Sequence, residues 1–408
     1  MKQNVEFKTA LNLILNSVNK KLRTEFRNVK ESLWYTCAVN VKSKYDIPNY
    51  DNSAMDGFAI RSTDTQNAKI DNPIKLKIVG EIKAGKVSRL KISSGECVSV
   101  MTGSCLPQGA DAVIEKEAVE YEDNKIKIFS KVKPNKNIRF CGEDVKKNEV
   151  VVEKGTLITP SALGMIISCG YDKIKVYRKP KIGIIATGDE LVDVGEKVTY
   201  GKVRNVNSYT LSGLVEKYHF KAYNYGIAKD EVKQLKSKLT KALAECDVIL
   251  ISGGVSKGEY DLVKPVLLQL EVKPIFWQVK QRPGKPVFYC IYYRNGQKIP
   301  IFGVPGNVVS NYIVFEMLIK PLLYKLEGRN EQEQYFDAII EEPVEKKLGL
   351  RYFLRGVVVQ KNGKFYVRTT GPQGSGILMS LLRANCLIVL DERQKNVKKG
   401  DTVKIKFI

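Results

Sequence analysis

The stretch CDVILISGGVSKGEYD, residues 246–261, decides the fold of the middle of this chain. Its first half predicts a short buried strand, because apolar residues follow one another without the alternation of a half-exposed strand. Its second half places three glycines, a serine, a lysine and two acids within nine positions. A turn requires far less, so this pattern predicts a ligand-binding loop at the carboxyl end of the strand.

Strands and helices alternate on both sides of this stretch. The apolar runs PKIGIIAT, KAYNYGIA, PIFWQV, VFYCIY and IPIFGV predict strands. Helical spacing of apolar residues predicts helices near 208–218, 232–243, 261–270 and 308–326. The alternation indicates an α/β unit with a largely parallel sheet, which we place at residues 177–328.

The pattern differs outside this unit. Short alternating runs broken by Pro and Gly predict a β-rich insert at residues 37–146. Residues 1–36 together with 147–176 are predicted to form a helical linker region, with an amphipathic helix near the start and a second helix capped by Thr159. Helical patterns stop again near the end, where Asn362-Gly363 predicts a hairpin turn, and residues 329–408 are predicted to form a small β domain.

Composition limits the function. The chain has 408 residues, 67 Lys and Arg against 44 Asp and Glu, and a formal charge of +23. The lysines are spread without a block of five, so small anionic partners are favoured over nucleic acid, and much of the excess is typical of solvated faces. No run of about 18 apolar residues and no signal peptide is visible. We therefore expect a cytoplasmic protein without a membrane partner.

Cysteine and histidine chemistry is not favoured by the sequence. The eight cysteines are scattered without a CxxC pair, which is typical of reduced thiols and argues against a structural zinc site. The single histidine, His219, lies between a helix-like and a strand-like segment. An isolated histidine in such a place is more often structural than catalytic.

Three loops are predicted to meet at the carboxyl edge of the sheet. TGDEL supplies Thr187, Gly188, Asp189 and Glu190, the loop after CDVILIS starts with Gly253 and Gly254, and GVPGN spans 303–307.

Glycine amides with Ser256 and Lys257 suit a phosphate. Glu259, Asp261, Asp189 and Glu190 would repel one another unless a hard cation lay between them, which suits Mg²⁺. A plain turn is the alternative for a single such loop.

Two further segments carry unusual polar residues. QRPGKPV holds Arg282 and Lys285 on a loop stiffened by Pro and Gly, which favours anion binding over a solvated turn. YDNSAMDGFAI surrounds Met55 with polar residues and shows neither helical nor strand period. By itself that segment fits a tight structural corner as well as a site.

Taken in order, the motifs DNSAMDG, MTG, RFCGED, TGDEL, SGGVS, PGKP and PGN resemble those of the MoeA family of molybdopterin molybdenumtransferases. FLRG at 353–356 and GSGILMSLLRANCL from 374 are similar to the family's C-terminal β domain, which gephyrin's E domain shares. The resemblance covers essentially the whole chain. It implies an elongated multidomain α/β plus β protein, with a molybdopterin-binding α/β domain and a C-terminal β-barrel-like domain.

This resemblance also implies an activity. Such proteins take adenylylated molybdopterin and molybdate, insert molybdenum into the dithiolene and release AMP in a Mg²⁺-dependent step. They act as homodimers whose cleft is lined by both subunits, and contacts with other proteins of molybdenum cofactor biosynthesis are expected. The alternatives are a molybdopterin adenylyltransferase, a tungsten-specific insertase and a peptide-binding scaffold like gephyrin.

Site residues are carried over from the family position by position. The implied catalytic residues are Asp56, Thr102, Arg139, Asp144, Glu190, Asp230 and Asp261, with Glu190 and Asp261 as metal ligands. The implied substrate-binding residues are Thr187, Gly188, Asp189, Gly253, Gly254, Ser256, Arg282, Lys285, Pro305, Gly306, Asn307 and Ser310. The chain departs from the family pattern at Val308, at Gln278 with Arg282, and at the triplet Asn205-Val206-Asn207, so the molybdate pocket is expected to be tuned differently.

Overall fold

A computed structural model describes residues 1–18, 22–86, 89–255 and 262–408. Within these residues the largest sheet has seven strands in the order β1-β19-β21-β22-β18-β14-β17. Its strands are β1 (Lys2–Val5), β14 (Lys181–Thr187), β17 (Lys221–Ala228), β18 (Val248–Ser252), β19 (Lys273–Val279), β21 (Phe288–Arg294) and β22 (Gln297–Val304).

Most neighbours in this sheet run parallel, as predicted. The exception is β21, which is antiparallel to both β19 and β22. This reversal follows from the tight connection Asn295-Gly296, where both residues have positive φ, because a two-residue turn joins antiparallel strands only. The edge strand next to β19 is β1, which pairs with it in parallel. The sequence pattern did not predict this strand.

Eight α-helices are found among the described residues, and those of the α/β unit cover both faces of the seven-stranded sheet. The eight are α1 (Phe7–Ser17), α2 (Pro160–Ser168), α3 (Val206–Lys217), α4 (Val232–Glu245), α5 (Val263–Gln269), α6 (Val308–Val314), α7 (Lys320–Leu326) and α8 (Leu378–Leu382). A π-helical turn, Phe315–Ile319, joins α6 to α7, so the predicted helix 308–326 is one continuous rod with a local distortion. Helix α1 buries Phe7 and Ile14 in the same core as β14 and β18. Burial of each such side chain stabilises the fold by about 1.5–3 kcal/mol relative to its exposure to water.

The β-rich insert is built on a six-stranded sheet in the order β8-β5-β7-β6-β10-β9. Its strands are β5 (Gly57–Ile60), β6 (Ile74–Ile82), β7 (Glu96–Val100), β8 (Ala112–Glu115), β9 (Val119–Glu122) and β10 (Lys125–Ile128). Three short ladders complete the insert and the linker region. Within the insert β4 (Asn52–Ser53) pairs with β11 (Ile138–Arg139), and in the linker region β2 (Thr24–Asn28) pairs with β13 (Lys173–Tyr177). The ladder of β3 (Val41–Lys42) with β12 (Val150–Val152) joins the two. In the α/β unit, β15 (Leu191–Val192) pairs with β16 (Val203–Arg204).

The C-terminal strands close into a barrel. Its five strands are β23 (Phe336–Ile340), β24 (Arg351–Lys361), β25 (Lys364–Thr369), β26 (Cys386–Leu390) and β27 (Thr402–Phe407), and closure comes from the pairing of β24 with β26. The predicted hairpin turn is confirmed, since Asn362 and Gly363 connect β24 to β25 and both have positive φ. A two-residue strand, β20 (Gln281–Arg282), extends from the α/β unit and pairs with β24.

Separate hydrophobic clusters lie beneath these sheets, in the insert, the linker region, the barrel and on the two faces of the seven-stranded sheet. The cluster on one face of that sheet also takes in Phe353, Leu387 and Val389 from the barrel, so the barrel is packed against the α/β unit. The domain boundaries given above stay a prediction. In the part of the chain that is described, none of the helices combines the length and the apolarity that a bilayer crossing demands.

Candidate functional site

The loops after β14, β18 and β22 lie side by side, because these three strands are parallel neighbours in the sheet. Gly253 donates its backbone N–H to the Val304 carbonyl oxygen at 3.0 Å. On the other side, the Thr187 hydroxyl donates to the Ser252 carbonyl oxygen at 3.4 Å. The predicted meeting of the three loops is therefore confirmed for their described residues.

Gly253 has a φ of +97°, and a Cβ at this position would lie 2.6 Å from the Thr187 carbonyl oxygen. Only glycine reaches this backbone conformation without strain, and only a residue without a side chain fits against the end of β14. The two glycines after β18 therefore let the chain turn sharply beside the end of β14. Ser256 and Asp261, which follow in the same loop, lie outside the described residues.

A cavity of about 310 Å³, which we call the strand-end cavity, opens between these loops. It is lined by Thr187, Gly188, Glu190, Asp230, Gly253, Gly254, Val255, Pro286, Pro305, Gly306 and Asn307. Nine of the residues assigned to the site from the family motifs line it together: all of these except Val255 and Pro286. The volume is at the lower end of the range of small-molecule sites.

Asp189 and Asp230 hold two loops together across the rim of this cavity. The Asp189 N–H donates to Asp230 Oδ2 at 3.2 Å, and the Asp230 N–H donates to Asp189 Oδ1 at 3.0 Å. Lys202 Nζ donates to the Asp189 carbonyl oxygen at 2.8 Å, and Lys229 Nζ donates to that of Leu191 at 2.9 Å. The acids of this rim are thus accompanied by two lysines.

Glu190 lies directly over Gly188, where an added Cβ would overlap its carboxylate. In the described part of the chain the Glu190 carboxylate has neither a hydrogen-bond donor nor an ion-pair partner, so both oxygens are free for a ligand. Asp230 lines the same cavity.

Mg²⁺ is usually held by one or two carboxylates together with substrate phosphates and water. Glu190 and Asp230 fit that requirement. No group of three Asp, Glu, His or Cys side chains that could hold a metal ion alone is found among the residues described.

A second cavity of about 450 Å³ continues from the first, since Glu190, Gly306 and Asn307 line both. It reaches the start of α3, where Asn205 accepts a hydrogen bond from the Ser208 N–H at 3.3 Å and caps the helix. The Asn205 Nδ2 is buried without a partner among the described residues, and so it is available to donate to a ligand oxygen.

Four of the positions where this chain departs from the family motifs meet at the second cavity, because Asn205, Val206, Asn207 and Val308 all line it. Asn207 also donates from Nδ2 to the Gly306 carbonyl oxygen at 2.6 Å. The PGN turn is thereby fixed to the start of α3. Gln278 is elsewhere: its N–H donates to the Val287 carbonyl oxygen, between β19 and β21.

The PGKP loop lies at a different border of the α/β unit. Arg282 belongs to β20, and its guanidinium lies 5.6 Å from the ring centre of Tyr352 in the barrel. Lys285 is exposed, and Ser310 is buried in α6 with its carbonyl oxygen next to Gly284. None of Arg282, Lys285 and Ser310 is among the described residues that line the strand-end cavity.

The four predicted residues of the insert form their own group, which we call the insert motif cluster: Asp56, Thr102, Arg139 and Asp144. Asp56 Oδ1 accepts from both the N–H and the hydroxyl of Thr102, each at 2.8 Å. These two hydrogen bonds, that from the backbone N–H first, lower the pKa of Asp56 below its ordinary value. Arg139 pairs with Asn52 in the ladder of β11 with β4, which joins its motif to DNSAMDG.

Asp144 lies at the edge of this group, where its N–H donates to the Ile47 carbonyl oxygen at 3.1 Å. Hydrogen bonds and strand pairing thus connect DNSAMDG to MTG and to RFCGED. Among the described residues, no member of the insert motif cluster lines the strand-end cavity.

Arg355 is a further candidate that the sequence analysis did not single out. Its side chain is fully buried, Nε donates to the Ser380 hydroxyl at 3.0 Å, and one Nη donates to the Gly374 carbonyl oxygen at 3.1 Å. The other Nη has no partner in the described chain, and burial lowers the pKa of Arg355 to about 10. A charged guanidinium with an unused donor, facing a cavity of about 410 Å³ that Arg282 also lines, is typical of an anion site. An arginine inside the apolar strand run FLRG is the signal that could have identified it.

Comparisons with known proteins agree with this architecture. Residues 5–170 match the MoeA N-terminal region (domain I and II), residues 183–325 match a probable molybdopterin binding domain, and residues 337–408 match the MoeA C-terminal region (domain IV). The strand-end cavity falls in the second match, which makes this a protein of the molybdopterin-binding class.

Relatives cover nearly the full length. The chain is 36% identical over 387 residues to the molybdopterin molybdenumtransferase of Haemophilus influenzae, covering 94% of this chain and 93% of the relative. It is 33% identical over 381 residues to that of Staphylococcus aureus, covering 92% and 89%. The crystal structure of the molybdopterin biosynthesis MoeA protein from Pyrococcus horikoshii OT3 superimposes with a TM-score of 0.82 at 34% identity, over 99% of this chain and all of that one. The chain belongs to the MoeA family of molybdopterin molybdenumtransferases, which are transferase enzymes acting in molybdenum cofactor biosynthesis.

Proposed function

We propose that this protein inserts molybdenum from molybdate into molybdopterin, taking the pterin in its adenylylated form and releasing AMP in a Mg²⁺-dependent step. The observation that carries the proposal is the strand-end cavity. There the unpaired carboxylate of Glu190 and that of Asp230 face the glycine amides after β18 and the PGN turn after β22. Carboxylates beside amides are the combination expected where a metal-bound phosphate is held.

Hydrogen-bond donors and carboxylates of the cavity would bind different parts of the substrate complex. The amides of Gly253 and Gly254, with the free Nδ2 of Asn205 in the adjoining cavity, would donate to phosphate and oxyanion oxygens. Glu190 and Asp230 would hold Mg²⁺, with Asp261 as a further proposed ligand. When bound, Mg²⁺ neutralises charge on the pyrophosphate and makes AMP a better leaving group. Arg282, Lys285 and Arg355 would attract molybdate and the remaining anionic groups.

The proposal is tested by AMP release. Purified protein is incubated with adenylylated molybdopterin and molybdate, with and without Mg²⁺, and AMP and metal-loaded pterin are quantified by chromatography. Glu190→Gln is expected to lower Mg²⁺-stimulated release by about 100-fold or more, since it removes a charge at a site of developing charge.

Glu231→Gln is the matched control, because this acid neighbours Asp230 but accepts a hydrogen bond from Gln234 at 2.7 Å instead. It is expected to release AMP like the wild type. Undiminished Mg²⁺ stimulation in Glu190→Gln would contradict the metal role.

The same assay separates the alternatives. A molybdopterin adenylyltransferase would consume ATP and produce adenylylated pterin, whereas an insertase consumes the adenylylated pterin without ATP. Replacing molybdate by tungstate in competition, followed by metal analysis of the product, distinguishes a tungsten-specific insertase. The expected result is AMP release without ATP and preferential incorporation of molybdenum.

We further propose that the active form is a homodimer in which the insert motif cluster of one copy covers the strand-end cavity of the other. Exposed apolar side chains support this pairing. Met55, Met101 and Phe140, each 41–42% exposed, are sequence neighbours of Asp56, Thr102 and Arg139, and Val203 and Val206, 52% and 36% exposed, line the cavity that adjoins the strand-end cavity. Solvent-exposed apolar groups around two polar sites are typical of surfaces that associate. The cytoplasmic location and contacts with other biosynthetic proteins stay predictions.

Mixing two inactive variants tests the shared site. Asp56→Asn and Glu190→Gln are each expected to be inactive, but a heterodimer of the two contains one site with both wild-type residues. Equal mixing after subunit exchange should restore about a quarter of the sites, by the symmetry of a two-fold dimer. A mixture that stays inactive although heterodimers form would show that Asp56 and Glu190 of the same chain serve one site. An active Asp56→Asn variant would show that Asp56 is not part of the site.

A further inference from the structure

Four charged side chains meet where the barrel joins the α/β unit, and we call them the four-charge cluster: Glu316, Lys320, Glu333 and Lys406. Lys406, on β27 of the barrel, lies 3.2 Å from Glu316 Oε2 and 2.8 Å from Glu333 Oε2. Lys320, at the start of α7, lies 2.7 Å from Glu333 Oε1 and 3.6 Å from Glu316 Oε2. The cluster is neutral as a whole, and it bridges the two units.

Three members of the cluster are buried, and the side chain of the fourth, Glu333, is 24% exposed. Glu316 is 0% exposed, Lys406 4% and Lys320 6%. Tyr218 donates a further hydrogen bond to Glu316 Oε1, and Glu316 itself lies in the π-helical turn between α6 and α7. Burial by itself raises the pKa of Glu316, but the ammonium groups of Lys406 and Lys320 outweigh it and hold this pKa below its ordinary value. Each of the two lysines is therefore in contact with both of the glutamates.

Buried charges are a poor source of stability compared with apolar packing, because their desolvation offsets most of their attraction. They are sensitive to geometry, since each charge is costly unless its partners are in place. A π-helical turn within an α-helix is likewise rare and is frequent at functional sites. A neutral four-charge cluster on such a turn thus indicates that the relative orientation of two units is being fixed.

The barrel strands connect this cluster to Arg355. In the register of β24, β26 and β27, Arg355 pairs with Leu387, and Leu387 pairs with Lys406. Directly paired residues project from the same face of a sheet, so these three side chains form one row across the barrel wall. Leu387, in the middle, is packed in the core of the α/β unit. One end of the row is held by Glu316, and the other carries the free donor of Arg355 at the cavity shared with Arg282.

We propose that the four-charge cluster is a positioning device, in which Lys406, held by Glu316 and Glu333, sets the rotation of the barrel on the α/β unit and thereby places Arg355 at its ligand. The inference rests on the proposed function in one respect, namely that Arg355 contacts the anionic substrate. The part that concerns barrel orientation does not depend on the substrate.

Lys406→Met tests the device, because it keeps the length of the side chain and removes its charge. Lys406→Arg keeps the charge and is expected to behave like the wild type. Lys404→Met is the matched control, since Lys404 projects from the same face of β27 but is exposed and pairs with Asp337 at 2.9 Å. Glu333→Gln, at the partly exposed edge of the cluster, is the second variant if Lys406→Met does not fold.

The first readout is the crystal structure of the variant superimposed on the α/β unit. We expect Arg355 to be displaced by about 1 Å or more in Lys406→Met, a shift that is enough to cost about 100-fold at a substrate-positioning group. Arg355 staying in place in a folded Lys406→Met or Glu333→Gln variant would overturn the proposal, whether or not the wild type transfers molybdenum.

The second readout is the kinetics of molybdenum transfer. Lys406→Met is expected to raise KM by about 10- to 100-fold with a smaller change in kcat. In an Arg355→Lys background the same substitution should have little further effect, because residues that act through one another are not additive. Additive effects would mean that Lys406 acts on stability alone and would overturn the positioning role. If the wild type transferred no molybdenum, the proposed function would be rejected, and the displacement of Arg355 in the crystal structure would decide on the positioning role.

Discussion

Replacing Gly253 by alanine adds only one methyl group, but it is expected to destabilise the α/β unit strongly. A residue forced to φ near +97° costs about 1–3 kcal/mol when it carries a side chain. The new Cβ would also lie 2.6 Å from the Thr187 carbonyl oxygen and 2.9 Å from its hydroxyl oxygen, and relieving such an overlap costs about 1–3 kcal/mol. Together these penalties predict a loss of about 2–6 kcal/mol.

The assay is thermal unfolding followed by calorimetry. Since 1 kcal/mol corresponds to about 2–4 °C for a unit of this size, Gly253→Ala should lower Tm by at least about 4 °C. Gly306→Ala is the control in the same cavity, because its φ lies outside the left-handed region and the nearest heavy atom to its Cβ would be 4.0 Å away. It should change the free energy of unfolding by no more than about 0.5 kcal/mol. Equal Tm values for the two variants would refute the reasoning about the end of β18.

Two other predictions concern single hydrogen bonds. Asn205→Ala should lower the free energy of unfolding by about 1 kcal/mol, because it removes the N-cap of α3. Asn205→Asp keeps a capping oxygen and should leave the free energy of unfolding unchanged. Equal denaturant midpoints for the two variants would contradict the capping role. Thr102→Val should raise the pKa of Asp56 in an NMR titration, because it removes one of the two Thr102 donors, and Lys116→Met should raise it less. Because the pKa of Asp56 is lowered in the folded protein, its contribution to stability is present above the unfolded pKa and is lost as pH falls through the folded one. An Asp56 pKa that is the same in Thr102→Val and wild type would exclude this hydrogen bond as a cause.

Periodicity predicted the elements that have strong local signals. The buried runs of β14, β18 and β22 and the apolar stripe of α4 are local properties of the sequence, and the structure has them where the pattern placed them. The meeting of Thr187, Gly253 and Pro305 could be predicted as well, because parallel neighbouring strands end at the same edge.

Features that depend on distant pairing could not be predicted in this way. Strand β1 is only four residues long, and its place is set by β19, far along the chain. The reciprocal hydrogen bonds of Asp189 and Asp230 depend on the positions of two separate loops. Arg355 looked like one more charge in a basic chain, since its partners Ser380 and Gly374 come from later in the chain rather than from its neighbours in sequence.

The pairing of β1 with β19 also has a consequence for biosynthesis. Residues 2–5 are translated long before their partners, Phe276 to Val279. At about 5–20 residues per second the delay is on the order of tens of seconds. During that time the apolar side chains of β1 and α1 have no core to enter, which makes this segment a natural substrate for nascent-chain chaperones and a sensitive place for any fused tag.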